Sequence, residues 1–323
     1  MPAGKGDLMV TSPSNLAPEK QLLYEQLLDA LNALFGVHPG CRAVHAKGIV
    51  CTGTFRPAAT AASISRAPHL QGAPVPITVR LSDFGGVPTV PDGDPRASPR
   101  GMAIKFHLPG GTDTDIVAHS YDGFPTRTAE EFLDFVRALA ASGPGVPSPK
   151  PIETFVARHP QARRFAEAPK PTPASFATES YYAVNAFRFI DPKGTSRNGR
   201  YRIRPVDGEE YLSSADTARR PPDFLFRELE KRLGGGPATF RLFVQIAAAG
   251  DPTNDGSLPW PEDRPQVELG TIEVTDMVAD SQAVERELVF DPTRLTDGIE
   301  LSDDPLPLAR SAIYAISYTR RNT

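Results

Sequence analysis

Ile49-Val50-Cys51-Thr52-Gly53-Thr54-Phe55 has the strand-like alternation of a segment with one face in a core. Seven further stretches read the same way, at residues 75–81, 102–108, 115–117, 181–190, 201–204, 239–247 and 266–274. Eight such strands are enough to close a barrel. Ahead of the first one, Pro18 opens a segment in which Leu22, Leu23, Leu27, Leu31, Leu34 and Phe35 recur at helical spacing, and Gly36 can close it.

A helical insert follows the fourth strand. Thr128 and Glu131 have the spacing of a capping box, Phe132, Phe135, Val136 and Leu139 share one face, and Ser142-Gly143-Pro144-Gly145 ends the helix. A second helix is expected over residues 152–165, kinked or split at Pro160, and a third over 222–233, stopped by Gly234-Gly235-Gly236. The last helix should cover 306–319. The pattern predicts an α+β chain: an eight-stranded antiparallel β-barrel with helical insertions and a C-terminal helix.

Composition narrows the function classes. The 323 residues can bury a large core, and 40% hydrophobic with 23% charged residues is the balance of a soluble globular protein. With 35 Lys and Arg against 39 Asp and Glu, a net charge of -4 offers no general basic field for nucleic acid. No segment reads as a signal-peptide core or a membrane span, which makes the cytoplasm the default compartment. Two cysteines, Cys41 and Cys51, make neither a disulfide framework nor a zinc motif. Residues 1–17 read as a flexible polar segment and 18–323 as one domain.

The candidate chemistry sits at the two ends. In the last helix, Arg310 lies four residues before Tyr314, which puts a guanidinium beside the phenol. A tyrosine titrates near ~10, so a phenolate metal ligand needs the metal and a neighbouring cation to stay ionised. Taken alone, Arg-x-x-x-Tyr is usually structural, and His45 in Arg42-Ala43-Val44-His45-Ala46-Lys47-Gly48 would ordinarily be a surface or core histidine.

Context changes that reading. Phe290-Asp291-Pro292, Gly298-Ile299-Glu300, Ser302-x-Asp304, Arg310-x-x-x-Tyr314 and Arg321 resemble, in order and spacing, the haem-binding signature of the haem catalases. Arg42-x-x-His45-Ala46-Lys47-Gly48 resembles the distal motif of the same family. Val79-Arg80-Leu81-Ser82 and Arg100-Gly101-Met102-Ala103-Ile104-Lys105-Phe106 resemble two of its strands. The resemblance covers most of residues 18–321 and is nearest to the small catalase-related peroxidases.

The resemblance implies a catalase-like barrel holding haem b, iron protoporphyrin IX, with Tyr314 as the metal ligand and Arg310 supporting its phenolate. It places Arg42, Arg80 and Arg321 at the propionates, His45 over the iron as acid/base, and Ser82 hydrogen-bonded to His45. Val44, Val117, Phe124 and Phe132 would keep the pocket apolar. Ser317 stands where catalases generally carry threonine and keeps the hydroxyl. Most catalases place an asparagine after the fourth strand, and here that position falls on His119. A second imidazole there can donate to peroxide, alter acid/base behaviour, or point away and pack.

The activity so implied is a peroxidase: hydrogen peroxide generates an oxo-ferryl species that oxidises a small organic donor, with weak catalase activity. The alternatives are a small catalase, a peroxygenase or biosynthetic haem oxidase, and a haem carrier with no chemistry. A monomer or homodimer is expected, with no nucleic-acid or membrane partner. His38, His69, His107 and His159 are read as surface or satisfied core histidines.

Overall fold

The computed structural model describes residues 17–323. The flexible segment expected at 1–17 therefore lies, but for its last residue, outside the described residues. Ten strands form one antiparallel sheet: β1 Gly48–Pro57, β2 Val75–Ser82, β3 Gly101–His107, β4 Asp113–His119, β5 Tyr181–Tyr182, β6 Phe187–Ile190, β7 Ser196–Pro205, β8 Ala238–Ile246, β9 Gln266–Met277 and β10 Ile299–Leu301. The order is β10-β6-β7-β5-β4-β3-β2-β1-β9-β8, and β8 pairs back onto β7. That pairing closes eight of the strands into the expected catalase-like barrel and leaves β6 and β10 as a flap along β7.

One expectation needs correcting. Residues 181–190 are not a continuous strand: β5 and β6 both pair with β7, but after Ala183, whose N–H still reaches Tyr201 O at 3.2 Å, the residues between them leave the ladder. Ala183, Val184 and Ala186 are all buried, so the break keeps the apolar look of a strand. In contrast, the seventh strand is longer than its sequence core, and β10 was not anticipated.

The helices are α1 Pro18–Phe35, α2 Ala129–Ala140, α3 Pro151–Arg158, α4 Pro160–Glu167, α5 Ser214–Thr217, α6 Phe224–Leu233, α7 Ser281–Glu287 and α8 Leu306–Asn322. Pro160 splits the predicted second helix into α3 and α4, as a residue without an N–H must. Thr128 caps α2 by accepting from Glu131 N at 3.2 Å, while the Glu131 carboxylate returns to Arg127 N at 3.0 Å, one residue ahead of a reciprocal box. The helix expected from 222 begins at Phe224, and α5 and α7 are additions. Among the described residues no helix is long and apolar enough to cross a membrane.

Two apolar clusters organise the molecule. Strands β1–β4 send Cys51, Val79, Leu81, Ile104 and Ile116 into the main core. A second cluster joins Leu27, Leu28 and Leu31 of α1, Leu133 and Val136 of α2, and Ala312 and Ile316 of α8. Where β1 crosses β9 closely, the register shifts at Thr52/Gly53, and a Cβ on Gly53 would lie 2.1 Å from Glu273 O. Only glycine fits that bulge.

Candidate active site

Residues opposed across an antiparallel ladder point to the same face of the sheet. Ser82 faces Gly101, and Gly101 faces His119; two residues along, Arg80 faces Ala103 and Ala103 faces Val117. These six positions share one face of β2–β4, opposite to the one that fills the main core. Over that face lie α1 and α8, and between them is a cavity with about 770 Å³ of empty space, its open mouth included.

The cavity gathers most of the residues singled out by sequence. From the sheet side come Val44, His45, Arg42, Arg80, Ser82 and Val117, and from α8 come Tyr314, Ser317 and Arg321. Leu28 and Leu31 of α1 and Phe290 add apolar wall. His119, Arg310, Phe124 and Phe132 do not line it. Phe124 and Phe132 pack on each other with ring centroids 5.0 Å apart, and Phe132 borders the helical cluster beside Val44.

His45 has a backbone φ of 54°, the only non-glycine residue in the left-handed region among those described. That conformation costs of order 1 kcal/mol and persists only where neighbours enforce it. Here His45 N donates to Phe84 O at 2.7 Å, Ala46 N to Gly85 O at 3.0 Å, and Asp83 N to Lys47 O at 3.0 Å. Lys47 Nζ then pins the segment to Val90 O at 2.9 Å and to the buried Asp92. The ring that results bonds Ser82 Oγ through Nδ1 at 3.0 Å and meets Phe84 edge-on at 5.3 Å.

Electrostatics keep that ring neutral. Burial, then the charges of Arg80 and of His119, lower the His45 pKa to about 3. Burial, then Arg310 and Lys170, lower His119 likewise to about 3. His119 Nδ1 is buried with no hydrogen-bond partner. Two uncharged imidazoles thus share the face above the cavity, and one of them holds an unused polar atom.

On α8, Arg310 Nε donates to Tyr314 Oη at 3.0 Å, as the one-turn spacing requires. Arg310 is itself aimed by a residue that sequence reasoning passed over. Its Nη1 donates to Asn185 Oδ1 at 2.6 Å, and Asn185 Nδ2 donates to Asp304 Oδ2 at 2.8 Å. Asn185 sits in the gap between β5 and β6, so the broken strand turns a side chain out of the ladder toward α8. The signal was present as a lapse of alternation at 183–186, hidden by buried alanines.

At the far end of the cavity, Arg42 Nη2 donates to Leu288 O at 2.8 Å, Arg80 Nη2 to His45 O at 2.8 Å, and Arg321 Nη2 to Leu288 O at 2.8 Å. Burial, then the charges of Arg80 and Arg321, depress the Arg42 pKa well below its ordinary value. Burial, then Arg80, lowers Arg321 to about 10. Arg80 Nε is buried without a partner. Among the described residues the carboxylate in contact with Arg42 and Arg80 is Glu285, at 3.3 and 3.1 Å. With Glu287 acting on Arg321 as well, the three guanidiniums still outnumber the carboxylates around them, an arrangement that a flat apolar group with two carboxylates would satisfy.

The catalase family model matches residues 36–322 of this chain. A catalase-related peroxidase of Mycolicibacterium paratuberculosis is 40% identical over 300 residues, covering 92% of this chain and 94% of that protein. One from Synechococcus elongatus is 31% identical, covering 92% of this chain and 88% of its own. The crystal structure of a fungal catalase superposes with a TM-score of 0.78 over 91% of this chain and 62% of that one, at 20% identity, and so shares the fold. The chain belongs to the catalase family. That family implies haem, and the apolar slot, the phenol of Tyr314 and the positive arginine cradle fit it.

The remaining histidines are scattered. His107 bonds Thr78 and Asp113 and His159 stacks on Phe155 at 3.9 Å, both away from the cavity. His69 is a core histidine, but not a satisfied one, since its Nδ1 has no partner. Cys51 is fully buried in the main core, on the face away from the cavity. Among the described residues no group of His, Cys, Asp or Glu could hold a metal ion.

Proposed function

We propose that this chain is a haem-dependent peroxidase, an oxidoreductase that uses hydrogen peroxide to oxidise a small organic donor. The observation that carries the reading is the pairing, within one cavity, of a neutral His45 held through Nδ1 by Ser82 with Tyr314 held through Oη by Arg310. The names of the two relatives above agree with it. The two free thiols suit a reducing compartment, the cytoplasm.

Haem b, held by Tyr314 with its propionates on Arg42, Arg80 and Arg321, would supply the redox-active iron at which the O–O bond breaks. The residues do the proton work. His45, uncharged above about pH 3, has Nε2 free of hydrogen bonds to other described residues and can accept a proton from one oxygen of hydrogen peroxide. The same nitrogen can give that proton up to the other oxygen, while the two electrons that cleavage of the O–O bond requires would come from the haem. Ser82 fixes the ring plane while the proton is held. His119, on the same face of the sheet but outside the cavity lining, takes no part in this proton transfer. Val44, Val117 and the α1 leucines exclude water from the reacting oxygen.

The test is the variant His45→Leu. Its haem content should match wild type, while the rate of reaction with peroxide falls by roughly 10²–10⁴-fold, the usual worth of a positioned acid/base. A haem carrier would lose nothing. Oxygen release measured with and without a phenolic donor then separates donor oxidation from peroxide disproportionation.

A further inference from the structure

Glu285 lies outside the motifs that carry the family resemblance, yet it is built into the arginine cradle. It sits on α7, whose first residue accepts from β1 through Val50 N and Ser281 Oγ at 2.9 Å. The end of α8 is buckled to the same helix: Arg321 Nε donates to Arg286 O at 3.2 Å, and Tyr318 Oη to Glu287 Oε2 at 2.9 Å. Held from both sides, the Glu285 side chain is only 13% exposed. One oxygen, Oε2, bridges Arg42 and Arg80, and the other, Oε1, is buried with no partner.

A carboxylate so placed does more than brace two arginines. Without it the cradle would concentrate three like charges, whose mutual repulsion adds to burial in lowering the pKa values of Arg42 and Arg321. With it the positive charge facing a bound group falls by one. We propose that Glu285 tunes the charge of the cradle, cancelling one guanidinium and so moderating the hold of the site on the carboxylates of a tetrapyrrole. This rests on the reading of the cavity as a haem site.

The test follows loss of haem from the holoprotein to an excess of a haem-scavenging protein, read by absorption. In Glu285→Gln the cradle carries one more positive charge close to the propionates, and haem loss should slow by about tenfold. With the dimethyl ester of haem, which has no carboxylate charge, wild type and Glu285→Gln should lose the porphyrin at equal rates. A slowing that persists with the ester assigns the effect to packing and overturns the proposal, as does haem loss from Glu285→Gln equal to or faster than from wild type. Arg42→Gln should lose haem faster, and the double variant with Glu285→Gln restores the wild-type net charge and should return toward the wild-type rate. That pair decides the matter if Glu285→Gln alone does not fold: a double variant as leaky as Arg42→Gln refutes the charge-tuning role. Wild type that holds no haem at all defeats the haem reading itself, and with it this proposal.

Discussion

Gly101→Ala tests whether the position of His45 governs the reaction. A Cβ built on Gly101 falls 2.8 Å from Nδ1 and Cε1 of His45 and 2.6 Å from Ser82 Oγ. Carbon contacts relax at about 3.5 Å, so something must give by about 0.7 Å. The strand cannot, because β3 is paired on both sides, to Ser82 and to His119. The His45 backbone is fixed as well, by its 2.7 Å bond to Phe84 O in a conformation with little latitude. The ring must therefore turn away, stretching its bond to Ser82 from 3.0 Å beyond hydrogen-bonding reach. A catalytic group misplaced by close to 1 Å costs about 10²-fold in rate. Stopped-flow mixing with peroxide, followed by haem absorption, should show a fall of that order in the second-order rate constant, with haem content unchanged because no cradle residue is touched. Gly143→Ala, which meets nothing within 4 Å, is the control. A Gly101→Ala rate within about threefold of wild type would refute the argument, since it would mean the base tolerates such a shift.

Two further outcomes follow from buried polar groups. His69, 1% exposed beside Phe55 and Phe106, is lowered from 6.5 to about 3 by burial. The unfolded chain takes up that proton first, so stability is lost as pH falls below about 6.5, at roughly 1.4 kcal/mol per unit until about pH 3. Glu179, which burial raises to about 7, acts in the opposite sense, so the comparison is with His69→Phe. Urea unfolding should show wild type losing roughly 2 kcal/mol more than this variant between about pH 7 and pH 5, and equal losses would contradict it. Asn185→Leu strips Arg310 of one acceptor and leaves the 3%-exposed Asp304 without its amide donor. The Arg310 hold on Tyr314 should loosen, with haem loss about tenfold faster and an altered haem absorption spectrum, whereas an unchanged spectrum would limit Asn185 to scaffolding.

What the sequence revealed and what it hid divide along a physical line. Barrel strands such as β2 and β3 were legible because each exposes one face to the main core and one to another layer, and period-two patterning records that division. The break at 183–186 was not, because it is buried on all sides and burial writes the same apolar residues into a gap as into a strand. Among site residues, His45, Ser82 and Tyr314 were recoverable because each lies in a local motif, next to its neighbours in sequence. Their supports were not: Lys47 reaches Asp92 across 45 positions, and Arg310 reaches Asn185 across 125. Phe124 and Phe132 show the converse error, since alignment with a motif fixes a backbone position and leaves open whether a ring reaches the cavity.

Glu285 is the sharpest case. Within Val284-Glu285-Arg286-Glu287 it reads as one charge on a solvated turn of helix, for which a surface ion pair worth almost nothing is the sensible expectation. Its partner Arg42 lies 243 residues away, and only closure of the barrel, which lays β9 against β1 and carries α7 across to meet α8, brings the two together. There the same carboxylate is largely removed from water beside two guanidiniums, where charge count outweighs side-chain identity. A motif can thus name the groups that bind a cofactor, but the net charge they offer it is a property of the folded chain, settled by a residue that no local pattern marks.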